Sequence, residues 1–287
     1  MSTIVAPLAF SGVGDAPRLE RRGGTRRLVQ RGDTALVVQD LAPSAAAVRL
    51  PAPRPRRYGS CAVSPAGDLA VFAGLHALRA VDRSGKVRWE VRHPCWAGCA
   101  GHDAFADYAE ERDHRYAGSG SAGFSADGSL VWAHVRGSLA NDRGRGADEW
   151  QVIDPEGGTV LARAATHTAA VGSDHVPQPD PRQMGLTIGE GQDGAPLRWG
   201  RWDGRTLAVD TFGEADRVLL AVSPTGKRLL TVTHDQDGPA LARRRGPDAT
   251  HRPARPPLRG VRPAEALGDG TWYTVSPGDN ALHLWSL

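Results

Sequence analysis

The sequence predicts an all-β fold, a β-propeller of about six (five to seven) four-stranded antiparallel blades, and three observations predict it. The 287 residues include 35 glycines and 21 prolines. That is roughly a fifth of the chain, well above the average of about 12%, and these residues fall between short apolar runs without a G-X-Y period. A serine-to-glycine hairpin phrase recurs along the chain, and a second phrase, an acidic residue and a glycine at a strand end, recurs downstream of it. Two hairpins in succession make four antiparallel strands, the content of one blade.

The first phrase stands at 63–71 (VSPAGDLAV), 124–132 (FSADGSLVW) and 222–230 (VSPTGKRLL), with 275–279 (VSPGD) as a degenerate fourth copy. Serine bonds the turn backbone, proline presets φ at the next position in two copies, and glycine supplies positive φ where the chain re-enters a strand. The second phrase stands at 78–87 (LRAVDRSGKV), 150–160 (WQVIDPEGGTV) and 197–207 (LRWGRWDGRTL). Hydrophobic alternation on both sides of each turn gives every strand one buried face. Successive phrase serines, Ser64, Ser125, Ser223 and Ser276, lie 61, 98 and 53 residues apart. One unmarked unit inside the longest gap makes the period about 50, the length of one blade.

That period places blades at 25–48, 58–91, 121–163 and 171–210, a fifth from 217 onward, and a short last unit at 270–287. The short end predicts completion by a strand from the other terminus, within 3–12. Residues 4–10 are apolar but interrupted by Pro7, with no basic residue before them, which reads as a strand and not an export signal.

Residues 222–235 resemble the inner strands of a WD40-type propeller blade. Residues 281–287 resemble the strand that ends in Trp-Asp, with Ser286 in the aspartate position, and Trp202-Asp203 keeps the dipeptide itself. The Asp-x-x-Gly-x-Val-x-Trp run from Asp82 to Trp89 is similar to propellers whose repeats resemble pyrroloquinoline-quinone enzymes. The resemblance implies a non-enzymatic scaffold whose loops bind another protein. Clear Gly-His pairs are missing, so it does not extend to the Asp-His-Ser-Trp hydrogen-bond network of WD40 blades.

Composition narrows the alternatives. The net charge is +3, yet residues 238–265 alone hold seven arginines against Asp248 and Glu265, so the basic charge is not spread over a folded surface and argues against a nucleic-acid partner. Three cysteines fit a reducing, cytoplasmic compartment. No stretch approaches the ~20 apolar residues that cross a bilayer. Phosphate-binding loops, dinucleotide fingerprints, H-E-x-x-H and G-x-S-x-G are missing from the sequence. Adjacent carboxylates such as Asp148 and Glu149 point to opposite faces of a strand and make poor acid/base partners. The segment from His234 to Asp237 reads as a turn, and Trp89, Trp132, Trp150 and Trp199 read as core.

Two segments interrupt the pattern. Residues 238–265 contain six prolines and almost no β-branched residue, which predicts a solvated disordered loop, or an aberrant reading frame, and no strand. Residues 92–118 form an insertion between two blades with the densest set of reactive side chains. His93, Cys95, Cys99 and His102 have the spacing H-x-C-x₃-C-x₂-H, a set of soft donors able to wrap a tetrahedral Zn²⁺. Pro94 and Trp96 equally suit plain packing of the loop on a blade. Trp96, Tyr108, His114 and Tyr116 are the candidate partner-binding residues, because aromatic side chains dominate interface hot spots. The alternative functions are a metal-dependent lyase or hydrolase, or a small-ligand sensor, using the same insertion.

Overall fold

Three blades join their first two strands through a turn that a serine closes. In the first copy the Ser64 carbonyl accepts from Gly67 N–H at 2.8 Å, with Gly67 at φ 69°, while Ser64 Oγ accepts from Leu69 N–H at 3.1 Å. Ser125 repeats this with Gly128 and Leu130 at 3.0 Å each, and Ser223 with Gly226 at 2.8 Å and Arg228 at 3.0 Å. Acidic residues close the second turns. Asp82 Oδ1 accepts from Lys86 N–H at 3.1 Å, Asp154 Oδ2 from Gly157 N–H at 2.7 Å, and Asp203 Oδ1 from Arg205 and Thr206 N–H at 2.8 and 2.7 Å.

The computed structural model describes residues 3–7, 17–22, 25–41, 46–99, 102–115, 118–140, 146–168, 172–189, 196–212, 217–223, 225–233, 239–243, 251–253, 265–266, 271–276 and 281–286. The chain divides into two compact units, one of Met1–Arg56, Arg83–Gly85 and Pro256–Leu287, the other of Arg57–Asp82 and Lys86–Arg255. Strands β1 (Thr3–Pro7), β2 (Arg18–Arg22), β3 (Thr25–Arg31), β4 (Ala35–Asp40) and β5 (Val48–Pro51) belong to the first. The first blade of the second unit is β6 (Gly59–Val63), β7 (Leu69–Gly74), β8 (Ala77–Asp82) and β9 (Val87–Arg92). Its second blade is β10 (Ser121–Phe124), β11 (Val131–Ala140), β12 (Gly146–Ile153) and β13 (Val160–Ala165). The third is β14 (Ser173–Pro177), β15 (Gln183–Ile188), β16 (Leu197–Trp202) and β17 (Leu207–Phe212). The fourth is β18 (Arg217–Val222), β19 (Arg228–Thr233), β20 (Pro239–Arg243) and β21 (His251–Pro253). Strands β22 (Glu265–Ala266), β23 (Thr271–Ser276) and β24 (Ala281–Ser286) return to the first unit.

Each blade pairs its strands antiparallel in chain order. The larger unit thus carries four blades, where about six were expected in one domain. The smaller unit holds two further four-stranded sheets, β2-β3-β4-β5 and β1-β24-β23-β22. In the latter, β1 from one end of the chain pairs with β24 from the other, Thr3 opposite Trp285 through Pro7 opposite Ala281, as the short last repeat required.

Within the larger unit, apolar clusters lie between successive blades. Val71, Ala80 and Trp89 of the first blade meet Phe124, Val131 and Ile153 of the second. Trp132, Trp150 and Val152 of the second meet Met184, Leu186 and Ile188 of the third, and Leu197 and Trp199 of the third meet Leu219 and Leu229 of the fourth. The four tryptophans assigned to the core are at most 7% exposed. The second and third blades thus bury one face against the preceding blade and the other against the following one, which is why strands with polar alternation still end in a continuous core.

One expectation is corrected here. Residues 238–265 were read as unable to hold a strand, yet β20 and β21 lie there and form the outer half of the fourth blade. The prolines sit where a sheet tolerates them: Pro239 is the first residue of β20, and Pro253 ends β21, the edge strand, whose outer side needs no N–H donor. The rest of that segment, and the 234–237 turn, lie outside the described residues.

Candidate metal centre

The insertion leaves β9 and first continues the blade's own hydrogen bonding. His93 N–H donates to His76 O at 2.9 Å and Trp96 N–H to Leu75 O at 2.8 Å, on the connection between β7 and β8. A tight turn follows, in which Gly98 N–H donates to Cys95 O at 2.9 Å with Gly98 at φ 78°, a conformation that glycine reaches without strain. This turn folds Cys99 back onto Cys95. A single 3₁₀ turn (Phe105–Asp107) comes next, with Asp107 Oδ2 accepting from the N–H groups of Asp103 and Ala104 at 2.9 and 2.8 Å. Those two donors hold the Asp107 carboxyl below its ordinary pKa. Then α1 (Arg112–Arg115) turns His114 inward.

The loop has its own small core. Tyr58, Leu75, Cys95, Trp96 and Tyr108 are buried together, with Ala97 and Phe105 packed against them. Tyr58 donates its hydroxyl proton to Ala109 O at 2.7 Å, tying the far side of the loop to the blade. The Tyr108 ring stands 5.0 Å from that of His102 and 5.3 Å from those of His76 and His114.

Four donor atoms converge beside this core. Cys99 Sγ lies 3.0 Å from His102 Nε2 and 3.1 Å from His114 Nε2, and the two imidazole nitrogens are 2.9 Å apart. Cys95 Sγ completes the set, all four atoms lying within 4.8 Å of one another. Burial pushes the Cys95 thiol up to about 11, and the neighbouring Cys99 sulfur adds to the rise. Behind His114, Glu111 Oε2 stands 2.6 Å from Nδ1. The ring thus places Nδ1 beside a carboxylate and Nε2 among the other donors.

Three of the four residues proposed as metal donors, Cys95, Cys99 and His102, are therefore brought together, and the fourth donor is His114. His93 stays with the blade. Pro94 restricts His93 to extended backbone, its N–H continues the pairing to His76, and its Nδ1–H donates to Pro94 O at 2.8 Å. Burial also corrects the partner-binding assignment. Trp96, Tyr108 and His114 are 6%, 1% and 3% exposed, so they hold the loop together and offer no contact surface. Tyr116 lies outside the described residues.

Sequence reading missed a buried polar chain between the second and third blades. Trp150 Nε1–H donates to His175 Nε2 at 3.0 Å, which leaves the proton of His175 on Nδ1, facing Ser121 Oγ at 2.8 Å. Ser121 Oγ meets Ser173 Oγ at 2.7 Å, and Ser173 Oγ meets His134 Nδ1 at 3.0 Å. On its other side His134 faces Asp148, whose Oδ2 is 3.7 Å from Nε2. Burial pushes both imidazoles down to about 3, and the nearby His175 and Arg198 add to the fall at His134. The polar residues that alternate with apolar ones in β10, β11 and β14 were the signal for it. Asp148 lies beside Arg136 and Thr168, and Glu149 beside Gln151 and Arg163.

A cleft of about 450 Å³ opens at the other edge of the first two blades, lined by Asp68, Asp82, Asp127 and Arg88 among others. Its aspartates are the turn-closing residues, bonded to Ser64, Lys86 N–H and Ser125, so the repeat itself accounts for them.

The fold places the chain among β-propellers, and the solved structures similar to it are propeller proteins. The dihydro-haem d1 dehydrogenase NirN, in complex with DHE, is 19% identical with a TM-score of 0.50, over 96% of this chain and 52% of that one. The β-propeller domain of Cps50 (Swd1) from Myceliophthora thermophila is 15% identical with a TM-score of 0.48, over 99% of this chain and 100% of that one. TolB from Acinetobacter baumannii is 14% identical with a TM-score of 0.48, over 90% and 62%. The chain thus spans about half of the dehydrogenase and less than two thirds of TolB. No family model and no curated protein matches it. Among the described residues, no helix is long and apolar enough to cross a membrane.

Proposed function

We propose that this chain is a non-enzymatic propeller that binds another protein through the outer surface of its 92–118 insertion. The observation that carries the reading is the division of that loop into two sides. Its Trp96 and Tyr108 side chains are buried, while Asp103, Asp107, Glu110, Glu111 and Asp113 are exposed; the described basic side chains exposed among them are Arg112 and Arg92, the latter paired with Asp103 at 2.6 Å. An ordered, acidic, outward surface on a rigid blade fits a basic patch on a partner. The enzyme alternative finds less support. A metal-dependent lyase or hydrolase needs an open coordination position, and four protein donors leave none. The Ser121–His175 pair, which looks catalytic on paper, is committed to structural hydrogen bonds, His175 to Trp150 and Ser121 to Ser173.

The three free cysteines suit a reducing compartment, and we place the protein in the cytoplasm.

The test is affinity capture from native lysate with wild type and with a Glu110→Lys/Asp113→Lys variant, both residues lying on the exposed side of the loop. The reading expects a partner that the variant loses while its circular dichroism is unchanged. An identical set of captured proteins from both would overturn it.

A further inference from the structure

We infer that Cys95, Cys99, His102 and His114 form a structural Zn²⁺ site that clips the insertion shut, with Glu111 as the carboxylate that orients His114. The donor set in chain order is C-x₃-C-x₂-H-x₁₁-H, a spacing in which the last ligand is supplied by α1.

The convergence of these atoms is hard to explain by hydrogen bonding among themselves. Glu111 Oε2 lies beside His114 Nδ1, so the ring turns Nε2 to the cluster, where it brings at most one proton. His102 Nε2 and Cys99 Sγ each carry at most one proton, and each lies within about 3 Å of the other two atoms. Three mutual contacts at that range use more donors than the trio arranges well, whereas a single cation at their centre uses every lone pair. Tetrahedral zinc with bonds of about 2.0–2.3 Å has donor-to-donor edges of about 3.3–3.8 Å. The present separations, from 2.9 to 4.8 Å, bracket that range, so shifts below about an ångström complete the site.

The chemistry of the donors selects the metal. Two sulfurs and two imidazoles in a tetrahedral set favour zinc over magnesium or calcium, which take oxygen ligands. Two thiolates neutralise the dication, and binding releases the two thiol protons. With four protein ligands the coordination shell is closed, which makes the role structural. The loop needs such a clip because its helical segments are one turn each and its core is five buried side chains. The carboxylate behind His114 is an independent sign, since ligating histidines commonly donate their second N–H to such a group.

The experiment uses the full chain purified without chelator, with metal content measured by mass spectrometry and Co²⁺ as a spectroscopic probe. Wild type should hold about one zinc per chain, and exchange into Co²⁺ should give the intense bands of a tetrahedral thiolate complex. Cys99→Ser and His114→Gln should lose the metal, whereas His93→Gln should keep it. Since ligand variants can unfold the loop, Glu111→Gln supplies a milder probe: its side chain is exposed, and zinc affinity measured against a competing chelator should fall about 10–100-fold. Removing the metal should open the chain to trypsin at Arg112. Less than ~0.2 zinc per chain with no Co²⁺ uptake, or full zinc retained by both Cys99→Ser and His114→Gln, would overturn the site. Unchanged trypsin resistance after chelation would overturn the clip. None of these readouts involves a protein partner, so the site and the proposed acidic docking surface fail separately.

Discussion

His175 shows how much one side chain decides. Accepting from Trp150 on one nitrogen and donating from the other, it must be neutral, and its burial agrees. His134 is kept neutral by its burial, and both titrate in the folded chain near pH 3 against an ordinary value of 6.5. The unfolded chain therefore takes up protons below pH 6.5 that the folded chain refuses until about pH 3. Stability is fully present above that upper value and falls as pH drops, by about 1.4 kcal/mol per unit for each histidine. Urea midpoints measured between neutral and mildly acidic pH should decline in wild type and decline less steeply in His175→Gln; equal slopes would show that the ring is not held neutral. Gly200 is a second decisive position. A Cβ there would lie 2.5 Å from Trp132 and 2.9 Å from Trp150. Gly200→Ala should thus cost about 1–3 kcal/mol, read as a lower denaturation midpoint.

Elements differ in how plainly the sequence announces them. Hairpins were legible because everything that makes them is local: Ser125, Asp127 and Gly128 close their turn within five residues. Ser125→Ala should cost about 1 kcal/mol, because it leaves the buried Leu130 N–H without its oxygen; Ser223→Ala, in a more exposed turn, should cost less, and chemical denaturation compares the two. The insertion was legible only in part. Cys95, Cys99 and His102 are close in the chain, but His114 joins them through a 3₁₀ turn and a helical turn whose inward faces depend on Tyr58 and Leu75, residues of the blade. His93 looked equivalent to them by spacing, and backbone pairing to His76 removed it. Strands β20 and β21 were hidden for another reason, since an outer strand is defined by its partner's backbone more than by its own side chains.

At the scale of the whole chain, one sheet of the smaller unit depends on five residues. Strand β1 supplies one of the four strands of its sheet and pairs along its full length with β24. Deleting residues 1–12 leaves β24 an open edge, with unpaired N–H and C=O groups that invite association with other chains. If the two compact units melt as one cooperative system, the loss spreads: calorimetry of wild type should show a single transition, and the truncated chain should melt as a whole at lower temperature. If the two compact units fold independently, wild type shows two transitions, and truncation lowers only the one belonging to Met1–Arg56 and Pro256–Leu287 while the four-bladed unit melts unchanged. Adding Zn²⁺ sharpens the distinction, because the metal donors all lie in the four-bladed unit. Chelation should then lower a shared transition in the first case and only the unaffected transition in the second.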